Sequence, residues 1–217
     1  EVLMRIDKQA FADGEIPENF LSSIFKTEVG REFDRVVIAD ALSRLKEKKL
    51  TSPRTQLSVH LSYATIADDK FVPWLQRTME INGISARELI FKLREIDINH
   101  HMGEAAKLLD KLKSLGAFTG LSDYGLAINP ATIFNKINVD FVKLDKTIAD
   151  KAQKDKASLD DLKALVKELK ELDQCVIVPF VESASIIPSM WQAGADFIQG
   201  YYIQAPSPEM NFDFTEE

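Results

Sequence analysis

The feature that most constrains the fold is the alternation of short, β-rich apolar runs with amphipathic helical segments along this 217-residue chain. Runs rich in β-branched and aromatic residues predict seven strands, at residues 1–7, 56–62, 88–95, 117–123, 140–145, 176–181 and 195–200. Strands that alternate with helices pair in parallel, because each helix carries the chain back to the same end of the sheet. The sequence therefore predicts an α/β fold with a parallel sheet covered by helices.

The choice between two parallel-sheet architectures depends on one motif. An open, doubly wound sheet normally carries a glycine-rich phosphate loop after its first strand, and neither GxGxxG nor GxxxxGK[ST] occurs here. Strands with crossover helices then favour a (β/α)8 TIM-like barrel, with the N-terminal strand missing from this fragment. We expect a single domain over residues 1–217. Residues 16–50 have a helical pattern and no strand, which predicts a two-helix insertion at about 16–50.

Local signals predict several helix boundaries. Ser158 is the predicted N-cap of a helix whose leucines recur every three or four residues, and Gly83 and Gly194 are predicted to end two other helices. The lysine-rich residues 146–156 predict a solvated loop. Trp191, at a helical position, is predicted to lie in the core.

Composition excludes several classes of protein. No run of about 18 apolar residues is present, so no membrane insertion is expected. Lys+Arg number 27 against 34 Asp+Glu, and the resulting net charge of -7 argues against binding to a nucleic-acid polymer. The single cysteine, Cys175, excludes an internal disulfide framework and fits a cytoplasmic protein.

Three basic residues alternate with apolar neighbours in three predicted strands. His60, Lys92 and Lys143 each lie on the strand face opposite to their apolar neighbours, so they are predicted to face the barrel interior. Taken singly, such a lysine is usually salt-bridged or snorkels to solvent, and such a histidine is usually a hydrogen-bonded core residue. Three inward-facing basic groups together favour a shared anionic ligand that bears phosphate.

The chain resembles the EAL domains, a family of bacterial cyclic-di-GMP phosphodiesterases. EVLMR at the start is similar to the family's ExLxR signature, and the other segments follow in family order. These are IPENF at 16–20 (P-x-x-F), Asp34, SVHLS at 58–62 (VNLS), residues 89–95 (LELEITE), SDYG at 122–125 (DDFG), VKLD at 142–145 (IKID), VPFVE at 178–182 (AEGVE), and QGY at 199–201 with Pro206 (QGY…P).

The resemblance also implies which catalytic groups have changed. Family members hydrolyse cyclic di-GMP with two divalent cations held by carboxylates and one asparagine. Four of these ligand positions hold other residues here: His60, Lys92, Ser122 and Pro179. Glu1, Asp123 and Lys143 are retained, so a weakly active phosphodiesterase is the alternative, and a Schiff-base enzyme using Lys143 is a third hypothesis. We expect no enzymatic activity and no Mg²⁺ or Mn²⁺ cofactor, because an ammonium near a divalent ion repels it.

The binding residues implied by the resemblance are better preserved. Arg5 is expected to pair with a phosphate, Asp34 with a guanine edge, and Phe180 to stack on a guanine. The full set expected to contact cyclic di-GMP is Glu1, Leu3, Met4, Arg5, Pro17, Asp34, His60, Lys92, Asp123, Lys143, Pro179, Phe180, Glu182, Gln199, Gly200, Tyr201 and Pro206.

A degenerate subgroup of the family binds cyclic di-GMP without cleaving it and regulates type IV pilus assembly and twitching motility. The PFVES sequence at residues 179–183 is similar to that subgroup. The resemblance implies a PilZ-domain adaptor protein as partner, association with the cell pole through partners, and upstream receiver, PAS and GGDEF-like domains in the parent chain.

Overall fold

The computed structural model describes residues 1–2, 23–25 and 27–210, which divide into two compact units. The first unit contains the described residues up to Leu93 together with His101–Phe118. The second contains Arg94–His100 and the described residues from Thr119 onward. Among the helices that the structure describes, none is long and apolar enough to cross a membrane.

The described strands and helices alternate as the sequence predicts. The strands are β1 (Leu57–His60), β2 (Leu89–Arg94), β3 (Phe118–Tyr124), β4 (Phe141–Leu144), β5 (Cys175–Val178) and β6 (Phe197–Ile198). The helices are α1 (Glu28–Lys48), α2 (Tyr63–Ile66), α3 (Phe71–Asn82), α4 (Glu95–His100), α5 (Met102–Ser114), α6 (Lys146–Ala152), α7 (Lys156–Glu171) and α8 (Ile187–Ala193). Six predicted strands are confirmed, and most of the first, residues 1–7, lies outside the described residues.

In the first unit, β1 and β2 pair in parallel with His60 beside Lys92. The backbone N–H of Val2 donates to the Ser58 carbonyl at 2.8 Å, so the chain start lies along β1. Of the two helices expected in residues 16–50, α1 is described, and most of the preceding residues lie outside the described part of the chain.

The core of this unit follows from the apolar periodicity of its elements. Ile38, Leu42 and Leu45 recur at helical spacing on α1 and are at most 1% exposed. Phe71 of α3 packs edge-to-face on Phe91 of β2, with ring centroids 6.3 Å apart. Helix α1 packs against β1 and α3 packs against β2, which leaves the polar side chains of these strands on the other face.

In the second unit, β3, β4, β5 and β6 pair in parallel in chain order. One face of β4 and β5 is fully buried, while Lys143 on the opposite face is only half-buried. Leu162, Val166 and Leu169 of α7 are 0% exposed, as expected for the single apolar stripe of that helix.

Three sequence predictions about the second unit are wrong. The N-cap of α7 is Asp155, whose carboxylate accepts from the Ser158 N–H at 2.8 Å, so Ser158 lies within the first turn. Residues 146–152 form α6 rather than a loop, because Asp145 caps the Thr147 N–H at 2.7 Å and a small apolar face is buried under the exposed lysines. Trp191 is 48% exposed, because α8 buries the neighbouring Met190 instead.

The predicted glycine caps are confirmed. Gly83 and Gly194 end α3 and α8 in the left-handed conformation, with φ of 66° and 92°. Glycine adopts this conformation at no steric cost, so it closes the helix and turns the chain toward the next strand.

Asp34 connects α1 to the turn that follows β1. Its side chain is 6% exposed, and Oδ2 accepts from the Ser62 N–H at 2.7 Å, the Ser62 hydroxyl at 2.8 Å and the Thr65 hydroxyl at 2.5 Å. Burial raises the pKa of Asp34 above its ordinary 3.8, and the hydrogen bonds from Thr65 and Ser62 oppose that rise. Folding therefore disfavours the charged form of Asp34 relative to the unfolded chain.

We expect Asp34→Asn to change how stability depends on pH. A carboxyl group whose pKa is raised by folding stabilises the fold when protonated, and this stabilisation is lost as pH rises through the folded pKa. The stability of Asp34→Asn relative to wild type should therefore be greatest near neutral pH and should decline as pH falls toward 3.8. Denaturant unfolding at several pH values measures this, with Asp40→Asn on the exposed side of α1 as the control for loss of a carboxylate. A relative stability that rises toward acid pH would contradict the raised pKa.

Candidate functional site

Three predicted site residues of the first unit meet at one carboxylate oxygen. Lys92 Nζ lies 2.5 Å from Glu1 Oε1, and His60 Nε2 lies 3.2 Å from the same atom. The Lys92 side chain is 3% exposed and that of Glu1 is 7% exposed. The pairing of His60 with Lys92 in adjacent parallel strands puts both side chains on the same face, as the alternation predicts.

This arrangement does not fit a divalent cation at Glu1. Two unit charges of like sign repel by about 4 kcal/mol at 4 Å with an effective dielectric near 20, and a divalent ion roughly doubles that energy. The Lys92 ammonium already contacts the carboxylate oxygen that an ion would bind. In the described part of the chain, no three His, Cys, Asp or Glu side chains form a group that could hold a metal ion.

Ser122 and Asp123, which the sequence aligns with the two aspartates of DDFG, adjoin each other in β3. Ser122 is fully buried, whereas Asp123 is exposed and has a φ of 54° at a register shift between β3 and β4. Aspartate enters this left-handed region more easily than most residues, at a cost of about 1–2 kcal/mol. The strained backbone directs the Asp123 side chain to solvent and the Ser122 side chain into the core.

Residues that follow β5 and β6 form the second group of predicted ligand contacts. Pro179 is buried, Phe180 is half-buried with a φ of 61°, and Glu182 is exposed. Val181 connects this segment to the chain beyond β6: its N–H donates to the Gln199 carbonyl at 2.9 Å, and its carbonyl accepts from the Tyr202 N–H at 3.2 Å.

Gly200 is required for this pairing. A Cβ at position 200 would lie 2.1 Å from the Val181 carbonyl oxygen, far inside van der Waals contact. Only glycine therefore permits the two segments to approach, and this allows Gln199 and Tyr202 to bond to the backbone of Val181. Tyr201 is 59% exposed, and Pro206 is also exposed.

Two residues that organise this unit are not among the predicted site residues. Glu95, 4% exposed, accepts from the Gly125 N–H at 3.1 Å and so holds the loop after β3, and burial raises its pKa. Gln153 hydrogen-bonds to the backbone of residues 179–182, here called the Phe180 segment, on both sides of Val181. The alignment of Glu95 with the last residue of LELEITE could have identified this residue from the sequence, whereas no sequence pattern marks Gln153.

The ligand-binding roles of five further residues stay predictions. Leu3, Met4, Arg5 and Pro17 lie outside the described residues, so their roles stay predictions. The ligand-binding role of Asp34 also stays a prediction, although its Oδ2 is fully used in holding the turn after β1.

Comparison with solved structures identifies the fold. A FimX EAL domain superposes with a TM-score of 0.87 at 34% identity, covering 92% of this chain and 81% of that one. The FimX EAL domain from Pseudomonas aeruginosa bound to c-di-GMP gives 0.84 at 33% identity, covering 94% and 83%. The expected fold class, an α/β barrel of the EAL type, is thereby confirmed.

Comparison with curated proteins gives weaker but consistent likenesses. The cyclic di-GMP phosphodiesterase PdeF from Escherichia coli is 21% identical over 88% of this chain and 26% of its own length. The chain spans about a quarter of the length of the curated relatives that it matches. The family model for the EAL domain matches residues 1–206. This chain therefore belongs to the EAL domain family.

Proposed function

We propose that this chain is a receptor that binds cyclic di-GMP without metal and does not hydrolyse it. The observation that carries the proposal is the buried contact between Lys92 and Glu1 at 2.5 Å. An ammonium occupies the position next to the carboxylate where the family's enzymes place a divalent cation. The chemistry that needs activated water is then lost, while the capacity to accommodate an anion is kept.

The charge balance around Glu1 supports binding without metal. Cyclic di-GMP carries two phosphate groups, which an uncompensated carboxylate would repel. Lys92 offsets the charge of Glu1, and His60, 3.2 Å from the same oxygen, adds a positive charge when it is protonated. A neutralised Glu1 leaves a phosphate free to pair with Arg5, whose guanidinium suits bidentate contact with phosphate oxygens.

The exposed part of the second unit supports a role in recognising the bases. Phe180 replaces the glycine of AEGVE and places a half-buried ring next to the exposed Glu182. Stacking of a base on an aromatic ring contributes about 1–3 kcal/mol, which is enough to determine whether binding is detected at micromolar concentration.

The cellular role follows from the likeness to FimX. A FimX EAL domain of 33% identity is known bound to c-di-GMP, which supports the same ligand for this chain. We propose that the bound nucleotide is relayed to a PilZ-domain adaptor and controls type IV pilus biogenesis and twitching motility. In this proposal the chain works in the bacterial cytoplasm, at the pole through its partners, downstream of receiver, PAS and GGDEF-like domains.

A weakly active phosphodiesterase is the second candidate. Glu1, Asp123 and Lys143 are retained from the catalytic set, and PdeF, a relative with 21% identity, is a cyclic di-GMP phosphodiesterase. The two candidates differ in whether metal is needed and whether product appears.

Titration of cyclic di-GMP into metal-stripped protein separates the candidates. We expect the same dissociation constant by calorimetry in EDTA and in Mn²⁺, and no linear pGpG by chromatography. Lys92→Gln should weaken binding in EDTA about tenfold, which corresponds to about 1.4 kcal/mol, because Glu1 is no longer offset. Lys146→Gln, on the exposed start of α6, is the matched control. Formation of pGpG at an enzymatic rate would overturn the receptor proposal, and loss of binding in EDTA would overturn binding without metal.

Phe180→Ala should weaken binding of cyclic di-GMP tenfold or more, because it removes the stacking surface. Isothermal calorimetry measures the affinity, and circular dichroism checks that the fold is retained. Trp191→Ala removes an exposed aromatic ring from α8 and should leave the affinity unchanged. Equal affinities for wild type and Phe180→Ala would show that the ring does not stack on the nucleotide.

Arg5→Ala should weaken binding and also make it less sensitive to salt. Each phosphate contact that is lost lowers the slope of log affinity against log salt concentration, because fewer ions are displaced on binding. Titrations between 50 and 300 mM salt give this slope, and Arg77→Ala on the exposed side of α3 is the control. An unchanged slope would mean that Arg5 does not contact phosphate.

A further inference from the structure

The Gln153 side chain connects the end of α6 to the Phe180 segment. Its Nε2 donates to the Phe180 carbonyl at 2.8 Å and to the Ala149 carbonyl at 3.2 Å. Its Oε1 accepts from the Glu182 N–H at 3.1 Å. One amide group therefore binds the main chain on both sides of Val181 and is itself tied to the last turn of α6.

The Phe180 segment needs such support, because its backbone is strained. Phe180 has a φ of 61°, in the left-handed region that residues with a Cβ rarely adopt. A change of this angle toward the extended region would swing the ring and turn the flanking peptide groups. The Phe180 carbonyl and the Glu182 N–H are the groups that Gln153 holds, so its two hydrogen bonds oppose that change.

The other side of the same segment is held by separate bonds. Val181 pairs with Gln199 and Tyr202 through its own N–H and carbonyl, at 2.9 and 3.2 Å. Those bonds fix where Val181 lies relative to the chain beyond β6. Each of them holds one end of a peptide group whose other end bonds to Gln153, because the Phe180 carbonyl is joined to the Val181 N–H and the Val181 carbonyl to the Glu182 N–H. Gln153 thus completes the hydrogen bonding of both peptide groups that flank Val181.

We infer that Gln153 is a positioning residue for cyclic di-GMP binding: its amide holds Phe180 in the left-handed conformation that presents the ring to a guanine base. The inference rests on the proposed function. Gln153 acts only through Phe180 and makes no contact of its own with the nucleotide. Its contribution should therefore depend wholly on the presence of the Phe180 ring.

A double-mutant cycle tests this dependence. Gln153→Met keeps the length of the side chain and removes both hydrogen-bonding groups, so it should weaken cyclic di-GMP binding about fivefold to tenfold by calorimetry. In a Phe180→Ala background the same substitution should change the affinity less than twofold, because no ring is left to position. Gln174→Met is the matched control: Gln174 directly precedes β5, whereas Phe180 lies just beyond its other end.

The outcomes separate this inference from the proposed function. If wild type does not bind cyclic di-GMP, the proposed function is wrong. If Phe180→Ala binds as tightly as wild type, the proposed stacking contact is wrong. If both behave as proposed but Gln153→Met binds as tightly as wild type, the positioning role is wrong. Equal losses with and without Phe180 would show that Gln153 contacts the ligand or supports the fold generally. Should Gln153→Met not fold, Gln153→Glu, which keeps an acceptor and removes the donor to Phe180, replaces it in the cycle.

Discussion

The buried ion pair between Lys92 and Glu1 is the interaction on which the proposed binding without metal depends. A charge inside a protein must be paired, because removal of one partner leaves the other uncompensated at a cost of about 3–5 kcal/mol. With Lys92 in place, the carboxylate of Glu1 is neutralised by the protein itself at 2.5 Å. In the proposed function, Lys92 on β2 therefore takes the place of a metal ion and allows an anionic ligand to bind.

Among the predicted ligand contacts, those of the second unit include residues with a strained backbone, whereas those of the first unit form a buried ion pair. Asp123 and Phe180 both have positive φ, at 54° and 61°. Asp123 lies near the C-terminal end of β3 and Phe180 follows β5, at the strand ends where barrel enzymes bind their ligands. Strained residues persist only when their surroundings fix them. For Phe180 that fixing comes from Gly200, which permits the close approach of Val181, and from the amide of Gln153.

The extent to which the sequence predicted this structure differs between elements. Strand positions and helix stripes followed from periodicity, as at Val142 and Leu162, because burial of an apolar face dominates the energy of each element. The caps at Gly83 and Gly194 followed from glycine's freedom at positive φ. The N-cap at Asp155 and the helix at residues 146–152 did not follow, because serine and aspartate cap equally well and lysines cover helices and loops alike.

The sequence by itself determined the family and the order of strands and helices, and it predicts the loss of four metal-ligand positions, since these depend on residue type and spacing along the chain. Only the tertiary structure decided that Lys92 and His60 meet at one oxygen of Glu1, that Asp34 is held by Ser62 and Thr65, and that Gln153 binds the Phe180 segment. Hydrogen bonds and ion pairs form between groups about 3 Å apart in space, and sequence spacing does not encode that proximity for residues that are 27 to 91 positions apart.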